Sequence, residues 1–477
     1  MKRTDHLSWV DHFGLSRKDM SSILETALSK GALFAEIFCE HRFRTSIHME
    51  EDIIKETGES ISRGLGIRVI SGDRTGYGYT NDPTPERIRA AALTAAAVAS
   101  GRLNPGPPAP LRRVRTRPGI YGAGRPAHAS SLSAKIGLVR IVHDAARFCS
   151  SKIQKVSVSF QNSLQYVSIA NSEGLEARDV RPLVRLTCTA IAEKNGRREI
   201  GFSGGGGRMG LEAFGSGGRE AAGIGRDAAR EALILLDAVD APAGDMPVVL
   251  SPGHSGVLIH EAVGHLLEAD FNRKKTSVFW NKLGKSVAPA AVTIRDDPTI
   301  PFFRGSYAVD DEGTIPRRTT LIEKGVVVGF LQDRLSARLM KRPPTGHGRR
   351  QDYGCFPLPR MANSYIERGE YAPEEILKSV GRGFYVDKIQ GGQVEDSGKF
   401  TFSVSLGYLI ENGRLGAPVR QATLIGSNLD VLKGLVMVGS DLEFGLPTGT
   451  CSKEGQDVPV TDGCPTLKIS SITVGGR

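Results

Sequence analysis

Three side chains in Leu258-Ile259-His260-Glu261-Ala262-Val263-Gly264-His265 carry the chemistry most plainly written in this chain. Two imidazoles beside a carboxylate make a metal site that brings its own general base. The usual helical spacing is HExxH, with ligands at i and i+4 on one face. Here the spacing is one residue longer. On a regular helix, positions i and i+5 lie about 140° apart and cannot reach one ion. A π-type turn, which closes i to i+5, turns both imidazoles to the same side. The spacing therefore predicts a local helix irregularity, with Gly264 easing a distorted backbone. The plain alternative is a pair of structural histidines. Met246-Pro247-Val248-Val249-Leu250 is expected as a buried strand, Ser251-Pro252-Gly253 as its break, and the helix to follow, capped by Ser251 or Ser255. Strand, turn and helix form a rigid mount for metal ligands.

A catalytic zinc takes three protein ligands and leaves a position for water. Downstream, the Gly-rich stretch Gly449-Thr450-Cys451-Ser452-Lys453-Glu454-Gly455-Gln456 offers Cys451 as its one soft ligand, with Lys453 close enough to favour a thiolate. Spacing alone does not link Cys451 to the histidines.

Further segments carry a family resemblance. They include Gly64-Leu65-Gly66-Ile67-Arg68, Ser203-Gly204-Gly205-Gly206-Gly207-Arg208, Asp270-Phe271-Asn272-Arg273, Asp310-Asp311-Glu312-Gly313, Gly391-Gly392-Gln393-Val394 and Val458-Pro459-Val460. With the His-Glu motif and Cys451, the chain resembles the metallopeptidase (TldD) branch of the TldD/PmbA family almost end to end. The resemblance implies zinc on His260, His265 and Cys451, with Glu261 as general base. It also implies a heterodimer with a PmbA/TldE-like paralogue that lacks the ligands, a homodimer being the fallback. The substrates it implies are small or unfolded polypeptides. Iron suits the same donor set and is not excluded. Two positions depart from the family pattern. Ser452 stands where a glycine is usual, and Cys464 has no counterpart and is expected to be a bystander.

A peptidase needs a second donor for its oxyanion. The loop Pro344–Tyr353 offers His347 and Tyr353; its plain alternative is a Gly-rich surface loop with solvated charge. Cys39, Cys149 and Cys188 are expected to be buried fillers, and Cys355 a loop residue near the site. Gly-rich strand segments at Ser203–Gly210 and Gln390–Gln393 would let an extended peptide add to a sheet edge. Two other functions fit the same residues. One is a non-proteolytic zinc amide hydrolase. The other is a binding or assembly module with a structural metal, its fourth ligand being Cys464, Cys355 or His347. A metal site at Asp296-Asp297 or Asp310-Asp311 is a further alternative, although such pairs are usually loop or capping carboxylates.

The 477 residues suffice for two or three domains, and 24% charged with 40% hydrophobic residues is ordinary for a soluble protein. No apolar run is long enough to span a bilayer, and no apolar stretch follows the first residues as in a signal peptide. Six irregularly spaced cysteines make no disulfide framework, which fits a reducing cytoplasm. The net charge of +10 raises nucleic acid as a ligand. However, Arg112, Arg113, Arg115, Arg117 and Arg125 sit together in one Pro/Gly-rich segment, and no nucleic-acid motif accompanies them. A basic loop facing an acidic partner, or solvated charge, is the better account.

The expected class is α+β. It comprises an N-terminal α/β domain (1–103), a Pro/Gly/Arg-rich linker (104–130), a central α/β domain (131–240) and a β-rich C-terminal domain (241–477) carrying the metal. Helices are expected at Ser21–Gly31, Pro85–Ser100, Ser133–Phe148 and Arg219–Leu236. Short strands are expected at Leu33–Arg42, Thr45–Glu51, Gly64–Ser71, Val156–Phe160, Gln165–Ile169 and Leu183–Ala190. A hairpin is expected at Lys324-Gly325, and a half-buried strand runs through Phe400, Phe402, Val404 and Leu406.

Overall fold

The computed structural model describes residues 13–101, 106–215, 218–395 and 398–476. Its N-terminal half is one long antiparallel sheet in the order β3 (Arg74–Thr80), β2 (Ile53–Ser71), β1 (Phe34–Glu50), β4 (Ile153–Asn171), β5 (Leu175–Lys194) and β6 (Arg197–Gly207). The segments before and after the Arg/Pro-rich stretch therefore share a sheet, because β1 pairs β4 over its whole length from Glu36 to Glu50. Successive strand residues face opposite sides, and the helices cover one of the two faces. Ile37, Cys39, Ile67 and Val69 pack under α1 (Arg17–Leu28) and α2 (Pro85–Val98). Ile47, Val156, Val158 and Leu186 pack under α3 (Leu132–Arg147) and α4 (Ala221–Leu236).

The strands are longer than their hydrophobic runs. Two expected short strands merge into the 17-residue β1, and two more into the 19-residue β4. Polar residues such as Arg42 and Arg44 lie mid-strand on the unhelical face, so alternation breaks while pairing continues. The helices match expectation within a few residues. The first starts earlier, on a capping box formed by Ser16 and Asp19. The described part of the expected linker, residues 106–130, is tied down. Ala109, Arg112 and Val114 donate their amides to the carbonyls of Ser172, Gly174 and Glu176. Its extended, proline-set backbone suits edge pairing, and its five arginines stay exposed.

The C-terminal half is β-rich. Strands β7 (Gly244–Leu250), β8 (Arg382–Val394), β9 (Lys399–Glu411), β10 (Ala422–Ser427) and β11 (Leu467–Gly475) close into a ring in the order β8-β7-β11-β10-β9-β8. A second sheet joins Ile294–Asp296, Thr319–Glu323, Asn363–Ile366 and Thr461–Cys464, and one large core fills both. No helix among the described residues is long and apolar enough to cross a membrane.

The halves meet on the sheet face opposite the helices, through buried charges. Arg68 holds Glu36 at 2.7 Å and also Glu312. Arg350 reaches Glu36 and takes the Asp311 carbonyl at 2.9 Å. Arg181 holds Asp179 at 2.8 Å and Asp311 at 2.6 Å. Burial works to raise the Glu36 pKa, but the two guanidiniums prevail and hold it below the usual carboxylate range. Glu36→Gln therefore strands buried positive charge. It should destabilise the protein by about 3–5 kcal/mol in urea unfolding near pH 7. Because the folded-state pKa is depressed, this difference is complete above the ordinary carboxylate range. It should shrink progressively as pH falls below that range and be gone once pH has fallen through the lowered folded-state value.

Candidate metal centre

The expected irregularity is present. After β7, Ser251 to Gly253 turn the chain, and a helix runs from Gly256. It is α-helical for Gly256–Ile259, π-helical for His260–Gly264 and 3₁₀ for His265–Leu267. The His265 amide donates to the His260 carbonyl, the i to i+5 closure that the spacing demands. Ser255 occupies the N-cap position but makes no side-chain cap bond, and the Ser251 hydroxyl donates instead to the Asp387 carbonyl at 2.7 Å. Gly264 adopts ordinary helical angles (φ −58°, ψ −54°), so backbone freedom is not its purpose. A β-carbon there would lie 2.0 Å from the Met361 sulfur. At Gly256 one would lie 2.6 Å from the Gly463 backbone. Small residues let this helix press onto its neighbours.

His260, His265 and Cys451 converge, with one donor atom of each inside a 4.8 Å group. The two rings stand 5.1 Å apart at 86°, and the Cys451 sulfur lies 3.3 Å from His265 Nε2. Cys451 is carried on a hairpin, Thr450–Lys453 against Gln456–Pro459, rather than on a loop. Alternation buries Cys451 and Lys453 and exposes Ser452. Ser452 is extended strand paired to Asp457, so the absent glycine costs nothing there.

Each donor is oriented from behind. His260 Nδ1 meets Asp462 at 2.6 Å, and His265 Nδ1 meets Glu268 at 3.2 Å. A carboxylate on one ring nitrogen turns the other, with its lone pair, toward a metal. The Lys453 ammonium is taken by carboxylates, locking Glu268 and Asp270, both at 2.8 Å. Arg360 is the cation beside the thiol, donating to the Cys451 sulfur at 3.3 Å and carbonyl at 2.6 Å. Burial pushes the Cys451 thiol up, but His265 and His260 bring it well below its usual range. Burial also opposes charge on the imidazoles. Even so, Asp462 and Cys451 lift His260 well above its usual value, and Glu268 and Cys451 lift His265 to about 10. Burial opposes ionisation of Glu268 as well, but Lys453 and His265 hold it at about 2. The focus of the three donors thus favours positive charge, which a divalent cation would satisfy. His/His/Cys is a donor set suited to zinc.

Glu261 stands at the open side, its carboxylate 3.8 Å from His265 Nε2 and 30% exposed. It and His260 line a cavity of about 930 Å³ between β6, α4 and the barrel. The same wall carries His254, Gly253 and Thr450.

Several expected residues lie elsewhere. His347 is fully buried, with both ring nitrogens engaged by Thr345 and Asp296 at 2.9 Å, so it is no oxyanion donor. Tyr353 packs beneath Gly64 and lines a separate hollow with Tyr77 and Tyr79. The Pro344–Tyr353 loop is not the solvated surface loop of the plain alternative either; it is drawn inward because Arg349 and Arg350 have partners inside the protein. Cys464 faces the Ser251 carbonyl at 3.6 Å, outside the cluster, and Cys355 is likewise not part of it. No fourth His, Cys, Asp or Glu donor joins the trio among the described residues. Cys39 and Cys188 are buried, whereas Cys149, at the end of α3, is exposed. Asp296 accepts from His347, Ser364 and Ala362, and Asp310 from backbone amides, as structural carboxylates do. The sequence reading missed Asp462, Glu268, Arg360 and His254. The only local signals were Asp462 eleven residues after Cys451 and Glu268 three after His265.

Domain models of the PmbA/TldA metallopeptidases match the chain in order: domain 1 at residues 35–99, the central domain at 125–236 and the C-terminal domain at 243–476. A Haemophilus influenzae protein named metalloprotease TldD homolog is 41% identical over 474 residues, covering 97% of each chain. A Saccharolobus solfataricus protein named zinc metalloprotease TldD homolog is 34% identical over 235 residues, 49% of this chain and 52% of that one. The crystal structure of TldE from Thermococcus kodakarensis shares the fold, with a TM-score of 0.75 at 19% identity over 96% of this chain and 100% of that one.

The Met361 contact gives the helix packing a direct check. Gly264→Ala should destabilise the protein by about 1–3 kcal/mol in thermal unfolding, as overpacked cores do. Met361→Ala in the same chain should recover part of that loss.

Proposed function

The chain belongs to the PmbA/TldD metallopeptidase family, and on that premise we propose that it is a zinc metallopeptidase. In this reading His260, His265 and Cys451 hold the metal and Glu261 carries the proton. The convergence of the three donors behind an open, carboxylate-bearing face carries the reading. A zinc ion held there supplies Lewis acidity for the scissile carbonyl and acidifies water.

The remaining steps belong to the chain's own side chains. A Glu261 carboxylate oxygen takes the proton of the attacking water and returns it to the leaving amide nitrogen, so the carboxylate ends as it began. Asp462 and Glu268 keep the imidazoles neutral at their inward nitrogens when a metal is bound, and Lys453 and Arg360 keep Glu268 and the thiolate in place. With Tyr353 and His347 removed as candidates, His254 is the cavity-lining imidazole left to donate to the oxyanion. Burial holds its pKa below the usual value, so the ring is neutral near pH 7 and one ring nitrogen carries a proton to donate. The cavity admits an extended peptide, not a folded domain, which supports small or unfolded polypeptides as substrates. A PmbA/TldE-like paralogue is the partner this reading expects, with the exposed arginines of residues 112–125 available to an acidic face. Six free cysteines and a thiolate ligand suit a reducing cytoplasm.

Glu261→Gln should keep about one zinc per chain and lose about 10²–10⁴-fold in peptide turnover. Full activity in that variant would remove Glu261 from the mechanism. Cys451→Ala should lose the metal, measured by elemental analysis of the purified chain; full zinc occupancy would move the third ligand elsewhere. Asp462→Ala should keep the fold and weaken zinc by about 10–100-fold in chelator competition.

A further inference from the structure

Four arginines gather on the far side of the Cys451 hairpin, and the peptidase reading does not use them. Arg304 is buried, with Nε on the Gly449 carbonyl at 2.7 Å and Nη2 on the Thr450 hydroxyl at 3.2 Å. Arg349 is buried over the Tyr307 ring and donates to the carbonyls of Met361 and Pro459. Arg208 is only 5% exposed, its Nε has no partner, and its guanidinium makes no hydrogen bond or ion pair among the described residues. Arg185 is half-buried, also with an unpartnered Nε. None of the four has a carboxylate partner among the described residues. Two neighbouring acids, Asp179 and Asp311, are held by Arg181.

The glycine run Gly204 to Gly207 builds this cluster. A β-carbon at Gly207 (φ +144°) would lie 2.5 Å from the Phe302 carbonyl, to which the Arg208 amide donates at 2.8 Å. A β-carbon at Gly204 would lie 2.5 Å from the Thr448 methyl. Only glycine lets β6 approach this closely and bring Arg208 beneath Arg304. Burial first, then the neighbouring arginines, depress Arg304 to about 9, and burial depresses Arg208 to about 10. Uncompensated buried guanidiniums are costly, and guanidinium forks match a carboxylate.

We propose that Arg185, Arg208, Arg304 and Arg349 form an anion site that receives the C-terminal carboxylate of the peptide substrate, an inference that rests on the peptidase reading. Arg185 lines the same cavity as His260, Glu261 and Thr450, while Arg208 and Arg349 line a second, small cavity of about 80 Å³ whose wall also carries Asp310, Asp311 and Asp457. A site this enclosed takes the end of a chain, not a polymer's backbone. A peptide's one obligatory anion is its terminal carboxylate. The substrate class is then peptides with a free C terminus, cut near that end.

The test uses the zinc-loaded full-length Glu261→Gln chain and three probes in titration calorimetry. These are N-acetyl-tetra-alanine as the free acid, its C-terminal amide, and an amide of the same length with one internal glutamate. The free acid should bind at least about tenfold tighter than the plain amide, and Arg185→Gln should bring the ratio to within about twofold of one. Arg208→Met should abolish the preference and raise the melting temperature, because it removes an unpaired buried charge. Equal binding of all three probes overturns the site. A glutamyl amide that matches the acid supports the arginine cluster and overturns its assignment to the terminus. Hydrolysis by the zinc-loaded wild type, assayed together with a PmbA/TldE-like paralogue, separates the two readings. Cleavage without acid preference overturns the anion site and leaves the peptidase. Acid preference without cleavage of any probe upholds the anion site and overturns the peptidase.

Discussion

One backbone hydrogen bond governs the geometry of this molecule: the His265 amide on the His260 carbonyl. Two imidazoles five residues apart on a regular helix point to different sides. Closing the turn one residue wide turns them toward one focus, and a π turn is less favourable than an α turn unless its surroundings hold it. Those surroundings are visible. Gly256 lies on the strand Thr461–Cys464, Gly264 lies against Met361, and that strand and the Met361 segment supply Asp462 and the Met361 amide to the ligands and to Glu268. The elements that enforce the turn also orient the donors.

Behind the donors, charge is passed outward in pairs. His265 leans on Glu268, Glu268 on Lys453, and Lys453 on Asp270. Each buried charge has an opposite neighbour, so no single group bears an uncompensated desolvation cost. The network between the N-terminal sheet and the C-terminal half follows the same rule at larger scale, through Glu36, Arg68, Arg350 and Asp311. Charge pairing, together with the apolar cluster of Phe38, Val167, Ile169 and Val309, fixes how the C-terminal half sits on the sheet.

What the sequence made legible follows from how local each signal is. The histidine spacing predicted the π turn because five residues and helical geometry suffice. Helices such as Pro85–Val98 were legible because periodicity and a proline start are local. The long strands were not, since polar residues on the face toward the C-terminal half interrupt alternation without interrupting pairing. Asp462, Glu268 and Arg360 were invisible because a lone carboxylate or arginine has no pattern until the fold gives it a neighbour. His347 and Tyr353 failed for the converse reason. A Gly-rich loop with two arginines looks solvated, yet Arg350 finds Glu36 more than three hundred residues away in sequence and pulls the loop inside.

The pairing rule gives its exception meaning. Lys453, on the Cys451 hairpin, sits among Glu268 and Asp270, while Arg304 reaches the same hairpin with only a carbonyl and a hydroxyl to receive it. Two cationic environments on one hairpin thus differ in one respect: the first is neutralised within the chain and the second is not. A fold that neutralises Arg68, Arg181 and Arg350 has the means to neutralise Arg208 as well, and the apolar alternative would be more stable still. Retained, uncompensated charge beside the cavity that Glu261 lines is stability given up locally, and such departures from local consistency concentrate where a ligand completes the structure.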